Sequence, residues 1–329
     1  MAPRDVVVVG GSAGSFAPLR EMAAALPRDL PGSVLVTMHI GEHARSHLPS
    51  LLSRAGPLPA AHARTGERLR PGRVYVAPPG CHLLVPGGVV ELSHGPPVNR
   101  CRPAVDVTLA SAARWFGDRV VAVVLSGMLD DGAVGAALVT QAGGLVLVQE
   151  PGDAAQSSMP AAALAAVPGA LAVLAQKLGE TVSGMLGETG LVTWPRPPPR
   201  EPADVRTAGT EDRGDLQSLS PGETRLTRLA CPGCGRALTE VALVQVTFFR
   251  CHAGHQFGPQ SLAAARAESV EAKLRTAVAA LEKTAALARH LAGHDRTGED
   301  LTDQRTTATD RATRLAESLR AQVRPTPEA

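Results

Sequence analysis

Nearly unbroken apolar runs punctuate the chain before Trp194, at Val6–Val9, Val34–Met38, Val120–Leu125 and Leu145–Val148. A strand with one wet face would alternate apolar and polar residues. Continuous runs instead point to strands covered on both sides, as in a parallel sheet. The segments Phe16–Leu26, Val105–Phe116 and Ala133–Gln141 carry helical composition between them. Strand and helix in alternation predict an α/β fold, a doubly wound and mostly parallel sheet with flanking helices. Between Arg73 and Ser93 the pattern changes. Val74–Val76, His82–Val85 and Val89–Leu92 are short, and Pro86-Gly87-Gly88 is a hairpin signal. A small antiparallel excursion from the main sheet is expected there.

From Trp194 to Glu223 periodicity stops. Pro195-Arg196-Pro197-Pro198-Pro199 leads into polar residues, the composition of a linker. A Cys/His segment follows, then a predicted helix over Gln260–Ala292 with Val270, Leu274, Ala277, Leu281, Ala288 and Leu291 at near-heptad spacing. A weaker amphipathic stretch covers Ala308 to Val323. Four regions result: an α/β domain over 1–192, a linker over 193–224, a Cys/His module over 225–258 and a helical region over 259–329. The long helix is expected to pack on a second helix or to pair with another chain.

Composition narrows the function. The 329 residues carry a net charge of only +2, and aromatics make up 2%. With no basic block and few stacking platforms, a nucleic-acid surface is not expected. No apolar run approaches the roughly 18 residues of a membrane span, and no signal peptide opens the chain. Three of the five cysteines cluster with two histidines, which is metal spacing and not a disulfide framework. That usage fits a reducing cytoplasm.

Three polar groups sit just past the carboxyl ends of predicted parallel strands: Ser12 in Gly10-Gly11-Ser12-Ala13-Gly14, His39 after Met38, and Asp131 in Ser126-Gly127-Met128-Leu129-Asp130-Asp131-Gly132. Open α/β sheets bind ligands along that edge. Glycines allow a sharp strand-to-helix turn that projects a serine, and the helix N-terminus with the Ala13 N–H offers donors for an oxyanion. A serine hydroxyl needs a neutral imidazole to take its proton, and an acid to orient that imidazole. A Gly-rich first loop also fits nucleotide binding. However, the loop is not G-x-G-x-x-G, and His39 stands where a ribose-binding acid is expected.

Cys231-Pro232-Gly233-Cys234, followed by Cys251-His252-Ala253-Gly254-His255, describes a zinc-ribbon-like module. Zinc takes four such ligands in a closed structural site. Cys231, Cys234 and Cys251 supply thiolates. His255 is preferred over His252 as fourth ligand, because its spacing lets the chain turn back. His43 and His47 read as solvent-facing, Cys81 and Cys101 as small buried residues. Arg100 and Arg102 read as surface charges, with contact to an acidic partner segment as their functional alternative.

Several ordered motifs together resemble the catalytic domain of the CheB-type chemotaxis protein-glutamate methylesterases over residues 4 to 188. They are Val9-Gly10-Gly11-Ser12-Ala13-Gly14, Met38-His39, Val76-Ala77-Pro78-Pro79-Gly80, Arg102-Pro103-Ala104-Val105-Asp106, Leu125 through Gly132, and Ser158-Met159-Pro160. The resemblance implies a Ser-His-Asp triad of Ser12, His39 and Asp131, with Asp130 the less favoured neighbour and Met128 beside the site. It implies hydrolysis of glutamate methyl esters on receptor proteins of the methyl-accepting type, with deamidation of receptor glutamines as a companion activity. No catalytic cofactor is implied, and zinc is expected only as a structural ion in the module. Leu129 departs from the glycine usual in its motif. The chain also opens directly on the catalytic motifs, so an esterase without occlusion by a receiver domain, or one controlled differently, is expected. A protein of another class remains open: a regulatory scaffold that keeps the esterase fold while its tail recruits partners.

Overall fold

A computed structural model describes residues 3–186, 223–243, 245–292 and 299–322. The expected linker falls mostly outside the described residues. The chain divides into two compact units, Met1–Leu262 and Ala263–Ala329.

The first unit is built on seven parallel strands: β1 (Val6–Gly11), β2 (Ser33–Met38), β3 (Ala60–His62), β4 (Arg73–Val76), β7 (Val120–Val124), β8 (Leu145–Gln149) and β9 (Leu171–Val173). Their spatial order is β3-β4-β2-β1-β7-β8-β9. The chain therefore winds one way from β1 through β2 and the other way through β7. The order reverses at β1, the crevice position of a doubly wound sheet.

The central strands are buried on both faces, which explains their continuous apolar runs. Val6, Val8, Val120, Ala122 and Val124 pack toward α3 (Val105–Phe116), α4 (Ala133–Gln141) and α5 (Ser158–Ala166). Val7, Val9, Val121 and Val123 pack toward α1 (Phe16–Ala25), α2 (Leu48–Ala55) and α6 (Leu178–Met185). Successive side chains of a strand point to opposite faces, so one run of valines feeds both cores.

The expected antiparallel excursion is smaller than predicted. β5 (His82–Leu84) and β6 (Glu91–Ser93) form it, joined by a turn at Pro86–Gly88. Val74–Val76 instead belongs to β4, parallel to β2 in the main sheet. A run this short fits a hairpin or a fully covered strand equally well, and only its burial between β2 and β3 decides.

The Cys/His segment forms a four-stranded antiparallel sheet: β10 (Glu223–Ala230), β11 (Ala237–Ala242), β12 (Thr247–Cys251) and β13 (Gln256–Phe257). Its Val241 and Phe248 are buried in the same cluster as the α3–α4 core. Helix α7 (Pro259–Ala292) starts directly after β13.

In the second unit α7 meets α8 (Glu299–Gln322), where Glu282 pairs with Arg320. Among its described residues Ala265, Val278, Ala285, Ala312 and Ala316 are buried, while Val270 and Leu291 of the predicted seam are exposed. Leu274, Ala277, Leu281 and Ala288 of that seam are half-buried, so the predicted heptad positions join the packing in part.

Candidate active site and metal cluster

β1 and β2 run in register, Gly11 opposite Met38, so the next residues of each strand, Ser12 and His39, emerge side by side. The His39 N–H donates to the Gly11 carbonyl at 3.2 Å, continuing the ladder past the strand ends. On the other side of β1, the loop after β7 returns toward Ser12. The Ser12 N–H donates to the Ser126 carbonyl at 2.9 Å, and the Ser126 hydroxyl donates to the Ala13 carbonyl at 2.8 Å. Gly127 must be glycine: a Cβ there would drive into the Met159 sulfur and crowd the Ser12 Cβ. The Ser158-Met159-Pro160 motif thus braces the loop, with the Met159 N–H on the Gly127 carbonyl. Met128 lies exposed on this loop.

Leu129 has φ 66°, a left-handed conformation that glycine occupies freely and leucine does not. The loop keeps the turn despite the substitution.

Asp131 is buried, and each of its carboxylate oxygens has two partners. Oδ2 accepts from His39 Nε2 at 2.6 Å and from the Val105 N–H at 2.7 Å. Oδ1 accepts from Asn99 Nδ2 at 2.8 Å and from the Asp106 N–H at 3.1 Å. Val105 and Asp106 open α3, so the carboxylate sits on unpaired N–H groups at the positive end of a helix. Burial pushes the Asp131 pKa up, but His39, Asn99 and the Val105 N–H outweigh it and hold the carboxyl below its usual range. For His39, burial pulls the pKa down, while hydrogen bonds to Asp131 and to the Cys101 thiol lift it to about 10. Cys101 is half-buried, not buried as its sequence context suggested, because its thiol lies at the site against the His39 imidazole.

Two buried polar residues to which the sequence reading gave no role line the site. Asp106 is fully buried, caps α4 by accepting from the Gly132 and Gly135 N–H groups at 3.0 and 2.7 Å, and receives Asn99 Nδ2 at 2.7 Å. Burial, then the neighbouring Asp131 charge, raises its pKa well above the carboxylate range. Asn99 is buried between these two carboxyl groups. Asp130, the sequence runner-up for the acid, turns away. It accepts from the Gln260 N–H at 2.7 Å, the Ser261 N–H at 3.0 Å and the Ser261 hydroxyl, capping α7.

His43 and His47 are exposed, as expected, and Cys81 is buried. Arg102 is not a free surface charge: it pairs with Glu42 at 2.7 Å and donates to the His94 and Gly95 carbonyls.

In the module, Cys231, Cys234, Cys251 and His255 converge, their ligand atoms all within 4.8 Å of one another. Cys234 Sγ lies 3.5 Å from Cys251 Sγ, which lies 3.6 Å from His255 Nδ1. His252 is exposed and outside the cluster. Four such groups could hold a metal ion.

The family model described as CheB methylesterase matches residues 7–182. Over 160 residues the chain is 40% identical to protein-glutamate methylesterase/protein-glutamine glutaminase 2 of Anaeromyxobacter dehalogenans, covering 49% of this chain and 47% of that protein. A namesake from Symbiobacterium thermophilum is 38% identical over 159 residues, covering 48% and 44%. The chain thus spans about half the length of the curated relatives it matches. Among solved structures, the CheB methylesterase catalytic domain of Thermotoga maritima aligns with a TM-score of 0.51 and 30% identity, over 55% of this chain and 98% of that domain.

Proposed function

The chain belongs to the CheB methylesterase family, and on that premise we propose that it hydrolyses glutamate 5-O-methyl esters on a methylated receptor or analogous signalling protein, giving glutamate and methanol. Ser12 is the nucleophile, His39 the general base and Asp131 its orienting acid. The observation that carries this reading is the 2.6 Å bond from His39 Nε2 to a carboxylate anchored on a helix N-terminus, beside the strand end that bears Ser12.

Nε2 is engaged by Asp131, and in this reading Nδ1 of His39 accepts the Ser12 proton. Ser12 Oγ attacks the ester carbonyl carbon, and the oxyanion is met by N–H groups of the Ala13–Gly14 turn, each worth about 3 kcal/mol of barrier. The C–O bond to methoxide breaks, and His39 returns the proton, releasing methanol. Water, deprotonated by the same imidazole, then hydrolyses the glutamyl-serine ester. Glutamine side chains follow the same route with ammonia leaving. Ser12→Ala should lower methanol release by about ten-thousandfold without unfolding the protein, by analogy with other serine hydrolases. Turnover within tenfold of wild type would remove the assignment.

The Cys/His cluster is a structural zinc site in this reading. Tetrahedral zinc with sulfur at about 2.3 Å sets ligand atoms roughly 3.5–3.8 Å apart, which the 3.5 and 3.6 Å separations match. The ion would be closed off from substrate and would supply folding energy to the module, not chemistry to the ester.

A further inference from the structure

Asn99 joins three parts of the first unit. It lies in the turn Val98 to Cys101, where the Cys101 N–H donates to the Val98 carbonyl at 2.9 Å. Asn99 and Arg100 both adopt left-handed conformations, φ 50° and 69°. Asparagine tolerates that region; arginine does so only when its surroundings impose it. The imposition comes from the Cys/His module. Val98 pairs with Gln256 as a parallel bridge, and the Asn99 N–H donates to the Gln256 carbonyl at 2.8 Å. The Gly258 N–H donates to Asn99 Oδ1 at 2.7 Å. Asn99 Nδ2 donates to Asp106 and Asp131. All hydrogen-bonding atoms of the amide are used. Its orientation is fixed, because only the nitrogen can face two carboxylates and only the oxygen can face an N–H.

From this geometry we infer that Asn99 is a positioning residue for the acid of the triad, and that the Cys/His module is its anchor. The inference rests on the triad reading proposed above. Without the Asn99 amide, the carboxyl groups of Asp106 and Asp131 face each other with no donor between them. They would share a proton or swing apart, and either change weakens the hold of Asp131 on His39. The neighbouring Asp130 adds a second tie, since it caps α7 immediately after the anchor. Gly258 itself leaves no room for a side chain against the Asp130 carboxylate. The docking of the module is therefore felt at the esterase rim through one amide and one adjacent carboxylate.

The test uses the full chain, a fluorophosphonate probe and a methyl-esterified glutamyl peptide. Asn99→Ala should slow Ser12 labelling and kcat at least tenfold with KM within twofold. The acid limb of the kcat profile should move to lower pH, because a weaker hold by Asp131 lets His39 shed its proton earlier. The groups facing Asp131 that enter this titration are His39, Asp106, Asp130 and His82. Should that variant fail to fold, the wild-type chain answers without substitution. Stripping metal with a chelator should slow labelling at least fivefold, and one equivalent of zinc should restore it. In a folded Asn99→Ala chain the same treatment should change labelling by less than twofold. A wild-type rate unchanged by chelation overturns the inference while Ser12 labelling upholds the triad. Failure of the untreated wild type to label at Ser12 overturns the triad reading itself.

Discussion

The strand-end rim that carries the proposed triad and the Cys/His cluster bring polar groups together by different means. At the rim the groups come from residues 12, 39 and 131, and a sheet buried on both faces fixes them. In the cluster all four candidate ligands fall between 231 and 255 on a small sheet, and two of its core side chains, Val241 and Phe248, are buried in the catalytic core. The first site is preorganised by a large core. The second draws on a neighbour's core and, in the proposed reading, on a metal ion. The difference teaches where each should fail: the rim through single polar contacts, the cluster through loss of its ion.

The sharpest test of this contrast sets two adjacent carboxylates against each other. Asp131→Asn should lower kcat by about a thousandfold or more, as loss of the orienting acid does in other serine hydrolases. Asp130→Ala should cost less than tenfold in kcat but lower the melting temperature, since a lost helix cap costs about 1 kcal/mol. Equal effects on kcat would erase the distinction between them. Chelation comes next. Amide exchange within 223–257 should rise by at least tenfold on metal removal, while the strands at 6–11 and 120–124 stay protected. Uniform loss of protection would mean that the two regions fold as one.

A third test is pH. His39 must be neutral to accept a proton, and Asp131 holds its pKa near 10. Labelling of Ser12 should therefore climb with pH through 7 to 9, approaching tenfold per unit, where an unshifted imidazole would give a plateau above pH 7.5. Stability runs oppositely. With the folded pKa raised, the stabilisation from the pair is complete below the unfolded value of about 6.5 and is lost as pH rises toward 10, provided Asp131 remains ionised. The smallest effect belongs to Leu129→Gly. Relief of the left-handed strain and the added freedom of the unfolded chain offset each other, so stability should change by less than about 1 kcal/mol and kcat by less than threefold.

Most of the sheet was legible because continuous β-branched runs bounded by glycine or turn residues favour a strand covered on both faces: Val6–Val9 and Val120–Leu125 lie within one residue or two of their observed ends. Val74–Val76 was not, because a three-residue run carries no information about its partner. Ser12, His39 and Asp131 were picked out as candidates by their positions after apolar runs, and of these the His39–Asp131 pair is hydrogen-bonded. Asn99 and Asp106 were hidden for a physical reason: a buried polar group is defined by partners distant in sequence, and locally each looks like an ordinary turn or helix residue. The one local clue was Asn99, a residue type that favours left-handed turns. His255 was preferred to His252 on spacing, and the cluster includes it.

The parallel order of the sheet has a consequence for biosynthesis. Because neighbouring strands are joined only by crossovers, Ser12 leaves the ribosome more than a hundred residues before Asp131, and the Gly258 tie follows later still. In the proposed triad, the serine therefore waits for partners that are synthesised later.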